Sequence, residues 1–336
     1  MKKFSVWAVL LVMMLVVAAC GGGNASEDGT NGAAETPAAE QPAAETPPVE
    51  APAAPTEITV KHQLGETVVP VNPEKVVVFD WGALDTLDML GVPVTAVPQS
   101  SSIPPYMEKY GGSEYINVGS LVEPDFEKIA EVDPDLILIS GRQSANYEEF
   151  TKLAPTVFIG VDNANYMESF KNNVTILGQI FQKEAEVAAE VEAVEKAVAD
   201  LNAASTTGGK NALIVLTNEG KISAYGPGSR FGIIHGAFGI PAVDEGIVVE
   251  THGQSVTYEY IVEKDPDYLF VIDRNAVVTT GEAAPAGSLS DNELIKNTKA
   301  YKNNKIIYLD PNYWYLSGGG LVSVSEMVKQ VAESTK

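Results

Sequence analysis

Residues 123–142 read EPDFEKIAEVDPDLILISGR, and 132 positions later residues 255–274 read SVTYEYIVEKDPDYLFVIDR. In register, Glu127 meets Glu259, Ile129 meets Ile261, Asp133-Pro134-Asp135 meets Asp265-Pro266-Asp267, and Arg142 meets Arg274. Each copy reads as a short helix, an Asp-Pro-Asp turn, an apolar strand and an arginine just past the strand. Proline blocks continuation of the helix, and the apolar run after it has the length of a buried strand. The pair therefore predicts two related α/β lobes, each delivering one arginine to an equivalent place. Two copies are too few for a solenoid, which needs several units to bury a continuous core.

The flanking sequence extends each lobe. Upstream of the first copy, 75–79 (KVVVF) reads as a buried strand, 81–90 as a helix ended by Gly91, and 94–97 as a second strand. Downstream, 147–153 reads as a helix and 156–160 as a strand. Strands alternating with short helices predict a parallel or mixed sheet covered on both faces. Residues 166–202 predict two helices meeting near Gln182, the second rich in Ala, Glu, Val and Lys at helical spacing. In the second lobe, 212–216 and 222–225 read as strands around Asn218-Glu219-Gly220. Ser229 then reads as the N-cap of a helix over 231–238, with Arg230 in its first turn. After the second copy, 305–309 reads as a strand, 310–315 as a loop, and the remainder to about 333 as a closing helix. The expected division is an N-terminal lobe at 57–182, a rigid connecting helix at 183–205 and a C-terminal lobe at 206–336.

Residues 1–19 begin with Lys2 and Lys3, continue through an apolar run too short to span a bilayer, and end in Ala18-Ala19, the pattern of a secretory signal. Val17-Ala18-Ala19-Cys20 matches a bacterial lipobox, which predicts a lipid on Cys20. Residues 20–56 hold Gly, Ala, Pro, Thr and six acids with no base, so a disordered acidic tether is expected there. Cys20 is the one cysteine of the chain, which excludes a disulfide or a cysteine metal site within one molecule. The 45 acids against 22 bases give a formal charge of −23, which disfavours nucleic acid and anionic headgroups as partners.

Of those 22 basic side chains only Arg142, Arg230 and Arg274 are arginines. Arginine is planar, permanently charged, able to donate in a fork and able to stack on aromatic faces, none of which a generic surface cation requires. Motifs for a nucleophile elbow, a His-Glu-x-x-His zinc helix or a dinucleotide loop are missing, and three histidines give a His₃ metal site little support. His62 reads as a surface residue before the first strand, and His235 as a packed helix residue. His252 lies in a loop just before the second copy, and Tyr313 in the loop after strand 305–309, where α/β lobes place ligands. Imidazole and phenolate beside a group of arginines suit Fe(III) held inside an anionic chelate, with guanidinium faces free to stack on catechol rings.

At this point the lipobox, the acidic tether, LGET at 64–67, PEKVVVFDWGALDTLDMLG at 73–91, the paired Asp-Pro-Asp strands and GPGSRFGIIHGAFG at 226–239 resemble the iron-siderophore substrate-binding lipoproteins of ABC importers. Within that family the sequence is most similar to the catecholate, petrobactin-type group, over essentially all of 57–336. The resemblance implies a class III periplasmic-binding-protein-like α/β fold of two Rossmann-like lobes, bridged by one long backbone helix, with a shallow cleft between them. It implies that Arg142, Arg230 and Arg274 contact an anionic ferric chelate, and that His252 and Tyr313 complete the iron shell where the chelate leaves positions open. It further implies that Glu127 and Glu259 dock on the permease subunits. On this reading the protein is a monomer held to the membrane by Cys20, without a cofactor of its own and without catalysis. Readings kept beside it are another iron chelate such as a hydroxamate or haem, cobalamin, or a surface hydrolase using His252 as base.

Overall fold

The computed structural model describes residues 55–278 and 289–336. The signal expected at 1–19, Cys20 and the tether up to residue 54 lie outside the described residues.

A hairpin of β1 (Glu57–His62) and β2 (Gly65–Pro70) opens the described chain, with His62 paired to Gly65 across a two-residue turn. His62 therefore ends the first strand rather than preceding it. It is half-buried, with Nε2 2.9 Å from Thr67 Oγ1 and its ring edge-on to Tyr147. The first sheet then forms from β3 (Val76–Val78), β4 (Ala96–Val97), β5 (Ile116–Asn117), β6 (Leu136–Ile139) and β7 (Thr156–Phe158). All its pairings are parallel, in the order β5-β4-β3-β6-β7. Its helices are α1 (Trp81–Met89), α2 (Phe126–Val132) and α3 (Tyr147–Thr151). Strand burial on both faces explains why 76–79 and 136–139 are unbroken apolar runs.

Two helices follow, α4 (Tyr166–Ile180) and α5 (Glu184–Gly208). They are separated at Gln182, whose positive φ breaks the helix and whose side chain accepts from Asn72 Nδ2. The connecting helix α5 runs to Gly208, slightly past the expected 205, and Gly209 closes it in the left-handed conformation. Its buried stripe is Val187, Val191, Val194, Val198 and Leu201, alternating four- and three-residue steps along one face. With 25 residues it extends roughly 37 Å at 1.5 Å per residue.

The second sheet contains β8 (Ala212–Asn218), β9 (Lys221–Tyr225), β10 (Gln254–Val256), β11 (Tyr268–Asp273) and β12 (Ile306–Leu309), ordered β10-β9-β8-β11-β12. β9 pairs antiparallel with both β8 and β10, while β11 pairs parallel with β8 and β12, so this sheet is mixed. Between these strands lie α6 (Ile233–Gly236), α7 (Tyr258–Lys264), α8 (Asn275–Val278) and α9 (Lys299–Lys302), and α10 (Leu321–Ser334) ends the chain.

The internal repeat maps onto equivalent structure. β6 and β11 hold the same place in their two sheets. Asp133 and Asp265 both end their helices in the left-handed conformation, at φ 51° and 43°. The second aspartate of each turn clamps the start of the neighbouring strand, Asp135 accepting from Lys75 N and Asp267 from Asn211 N. A short local motif thus sets cap, turn and register together.

One continuous core runs through both lobes, from Val76 and Trp81 through the α5 stripe to Phe270 and Val331. Trp81, Phe79 and Phe150 are fully buried, each contributing about 1.5–3 kcal/mol or more by area. Although α10 belongs to the C-terminal lobe in sequence, its N-terminal residues hydrogen-bond to α1. The approach is close because both sides present glycine: a Cβ on Gly320 would lie 2.2 Å from Gly82 O and 2.0 Å from Asp85 Oδ1. Gly320→Ala is expected to cost about 2–3 kcal/mol in urea denaturation through overpacking against backbone that cannot yield.

Candidate functional site

Between the lobes lies a cleft of about 640 Å³, walled by Ser140–Arg142 and residues 158–161 on one side and by Ser229, Arg230 and the 249–252 loop on the other. Trp314, Tyr315 and Leu316 are also among its lining residues. That volume suits a small-molecule ligand.

Tyr315 organises the charge in this cleft. Arg142, in the tight turn after β6, donates from Nη2 to the Tyr315 carbonyl oxygen at 2.9 Å. Arg230, from the opposite wall, donates to the same oxygen at 2.5 Å, and its guanidinium lies 4.2 Å from the centre of the Tyr315 ring. Arg274, one residue past β11, donates from Nε to the Tyr315 hydroxyl at 2.9 Å and from Nη1 to Asn218 Oδ1. The structure brings the three arginines together on one residue. Arg142 and Arg230 line the cleft directly, whereas Arg274 reaches it through the phenol.

Electrostatics follow from that arrangement. Burial, then the neighbouring charge of Arg230, pulls the Arg142 pKa below its ordinary value. Burial alone would raise the Tyr315 phenol, but the Arg274 hydrogen bond and the charges of Arg230, Arg274 and Arg142 outweigh it, and the phenol sits below its ordinary value. A bare cation is repelled by such a group of guanidinium ions. A multiply charged anion is attracted, and each desolvated contact to it is worth about 1.5–3 kcal/mol.

The other expected site residues divide. His252 lines the cleft on an exposed loop. Tyr313 does not: its ring stacks on Tyr106 at 4.9 Å, packed against the core, and burial followed by the charges of Glu326 and Asp310 raises its phenol. Asn312–Leu316 forms a π-helical turn where a loop is expected, and of its two tyrosines Tyr315 lines the cleft while Tyr313 stacks on Tyr106. Ser229 also differs, since its Oγ donates to Gly226 O instead of capping a helix, and only Ile233–Gly236 is helical there. Arg230 therefore stands on a turn. His235 is packed, its Nδ1 donating to Ile240 O, with a pKa lowered by burial. Glu127 and Glu259 are exposed in the first turns of α2 and α7. Asp80, which sequence reading left out, lines the cleft while its side chain caps α1 by accepting from Ala83 N.

The sequence pattern of the family described as periplasmic binding protein matches residues 76–313. The chain is 50% identical over 281 residues to the petrobactin-binding protein YclQ of Bacillus subtilis, covering 82% of this chain and 88% of that protein. The crystal structure of YclQ superposes with a TM-score of 0.80, covering 83% of this chain and 99% of the other. The ferric-anguibactin-binding protein FatB of Vibrio anguillarum is 33% identical over 82% of this chain and 87% of its own length. The siderophore-binding protein BauB, solved with two acinetobactin molecules and ferric iron, is 33% identical with a TM-score of 0.76, covering 83% of this chain and 99% of that one.

Proposed function

The chain belongs to the periplasmic binding protein family, and on that premise we propose that it captures a ferric catecholate siderophore between its lobes and delivers it to an ABC importer. The observation that carries this reading is the convergence of Arg142, Arg230 and Arg274 on Tyr315. Arginines on both walls neutralise an anionic chelate, and guanidinium planes stack on its rings. The similarity to YclQ and FatB supports the same ligand class, with Fe(III) as cargo and no cofactor of the protein's own.

Several finer assignments belong to the same proposal. Where a chelate is tetradentate, Tyr315 and His252 fill the open iron positions, Tyr315 taking the place that sequence reading gave to Tyr313. Cys20 carries the lipid that holds the protein to the extracytoplasmic face of the membrane. The exposed Glu127 and Glu259, on equivalent helices of the two lobes, dock on basic residues of the permease. The protein acts as a monomer and binds without turnover.

Titrating the full mature chain with ferric petrobactin while following tryptophan fluorescence tests the central claim, because Trp314 lines the cleft. Saturable quenching by ferric petrobactin, with weaker quenching by a ferric hydroxamate, is the expected result. Absence of saturable quenching by ferric catecholates overturns the reading. A haem absorption band in the purified protein would favour the haem alternative instead.

A further inference from the structure

The N-terminus of α10 has no acid in its own first turn, and its N-cap is a glycine. The amides there are met from α1, more than two hundred residues earlier. Thr86 Oγ1 accepts from Leu321 N at 3.0 Å, and Asp85 Oδ2 accepts from Ser323 N at 3.0 Å. Asp85 is 1% exposed, and the charged group acting on it is Asp80, of the same sign. The network continues toward the cleft. The Tyr106 hydroxyl shares its proton between two acceptors, Ser317 Oγ at 2.7 Å and, more weakly, Asp85 Oδ2 at 3.3 Å. Ser317 Oγ and Ser317 N both donate to Asn312 O, at 2.7 and 3.1 Å, closing the turn that carries Tyr315.

We propose that Asp85 is a positioning residue for the cleft: it holds the first turn of α10 and, through Tyr106 and Ser317, the turn that presents Tyr315 to the arginines. This rests on the chelate-binding reading of that cleft.

A cap present for stability alone fits poorly here. Burial, opposed by hydrogen bonds from Ser323 and Val322, moves the Asp85 pKa from 3.8 up to about 7. Raised in the folded state, the group binds its proton more tightly there than in the unfolded chain. Folding stability accordingly falls as pH rises from about 4 through about 7, so the ionised carboxylate is kept at a cost to the fold. The titratable groups facing Asp85 are Asp80 on its own helix, Tyr106, Tyr166 of α4 and Tyr313 of the π-helical turn, and none of them is a cation.

The test compares the full mature chain with Asp85→Asn, and with Tyr106→Phe as a milder cut in the same network. Without ligand at pH 8, amide hydrogen exchange over 315–323 is expected to quicken in both variants, while β11 and α2 keep wild-type rates. With ferric petrobactin, Asp85→Asn is expected to bind about tenfold more weakly, the scale of one charge-assisted hydrogen bond. In a Tyr315→Phe background the same substitution is expected to cost less than about twofold, because the hydroxyl whose placement matters to the chelate is gone. The gap between wild type and Asp85→Asn is expected to narrow below about pH 7, where Asp85 takes up a proton. Unchanged exchange over 315–323, or an equal affinity loss in both backgrounds, overturns the proposal. If wild type fails to bind ferric petrobactin, the chelate reading falls and the exchange data alone decide the role of Asp85.

Discussion

Replacing Arg230 with glutamate is expected to lower the affinity for a ferric catecholate about a thousandfold, or ~4 kcal/mol, measured by fluorescence quenching or calorimetry. Three losses combine. The guanidinium that lies 4.2 Å from the Tyr315 ring disappears, and so does its hydrogen bond to the Tyr315 carbonyl. A carboxylate then enters a cleft that already contains Asp80, and it repels the chelate. The control is Lys221→Glu, on the exposed start of β9. Both substitutions change the net charge equally, so long-range repulsion by the protein as a whole is the same in each. Lys221→Glu is expected to stay within about twofold of wild type at physiological salt, since charges beyond a Debye length of about 8 Å are screened. An equal loss in the two variants would mean that net charge, rather than the cleft, controls binding.

How much of this was legible in the sequence depends on how local the controlling interaction is. The two lobes, the paired strands β6 and β11 and the arginines after them follow from Asp-Pro-Asp, where cap, helix stop and strand clamp all lie within a few residues. The break at Gln182 was legible for the same reason. Ser229 misled because a serine before an apolar segment has the pattern of an N-cap, yet its hydroxyl finds a nearer acceptor in Gly226 O. His62 ends a strand whose alternation, Ile58 and Val60 between polar neighbours, is legible, but the Gln63-Leu64 turn that pairs it with Gly65 carries no Asn-Gly or Asp-Gly hairpin signal. Asp85 was invisible because its partners on α10 are 238 residues away, and nothing in α1 distinguishes it from Asp88 on the same helix. That Tyr315 rather than Tyr313 lines the cleft was not legible, because two tyrosines two positions apart carry no signal for the π-helical turn that contains them.

That choice leads to a prediction that requires no ligand. Among the described tyrosines with a resolved shift, Tyr315 alone is held below its ordinary value of 10.0, whereas Tyr106, Tyr110, Tyr166, Tyr225, Tyr260 and Tyr313 are raised. An alkaline absorbance titration of the free protein is therefore expected to show one phenol ionising ahead of the ordinary range. Tyr315→Phe should remove that step and Tyr313→Phe should leave it. The sign also fixes the linkage to stability. A depressed acid stabilises the fold in its ionised form, so this contribution is present above the ordinary phenol pKa and is lost as pH falls through the lowered folded value. On the proposal that Tyr315 fills an open iron position, the same logic extends to neutral pH, because a phenol already biased toward phenolate gives up its proton to solvent at lower cost when it binds Fe(III). Tyr315→Phe should consequently weaken binding of a tetradentate ferric bis-catecholate by about 10- to 100-fold, while a hexadentate tris-catecholate, with no open iron position, loses little because phenylalanine keeps the ring. Equal losses for the two chelates would assign Tyr315 to packing alone, and a larger loss from Tyr313→Phe than from Tyr315→Phe would return the iron position to Tyr313.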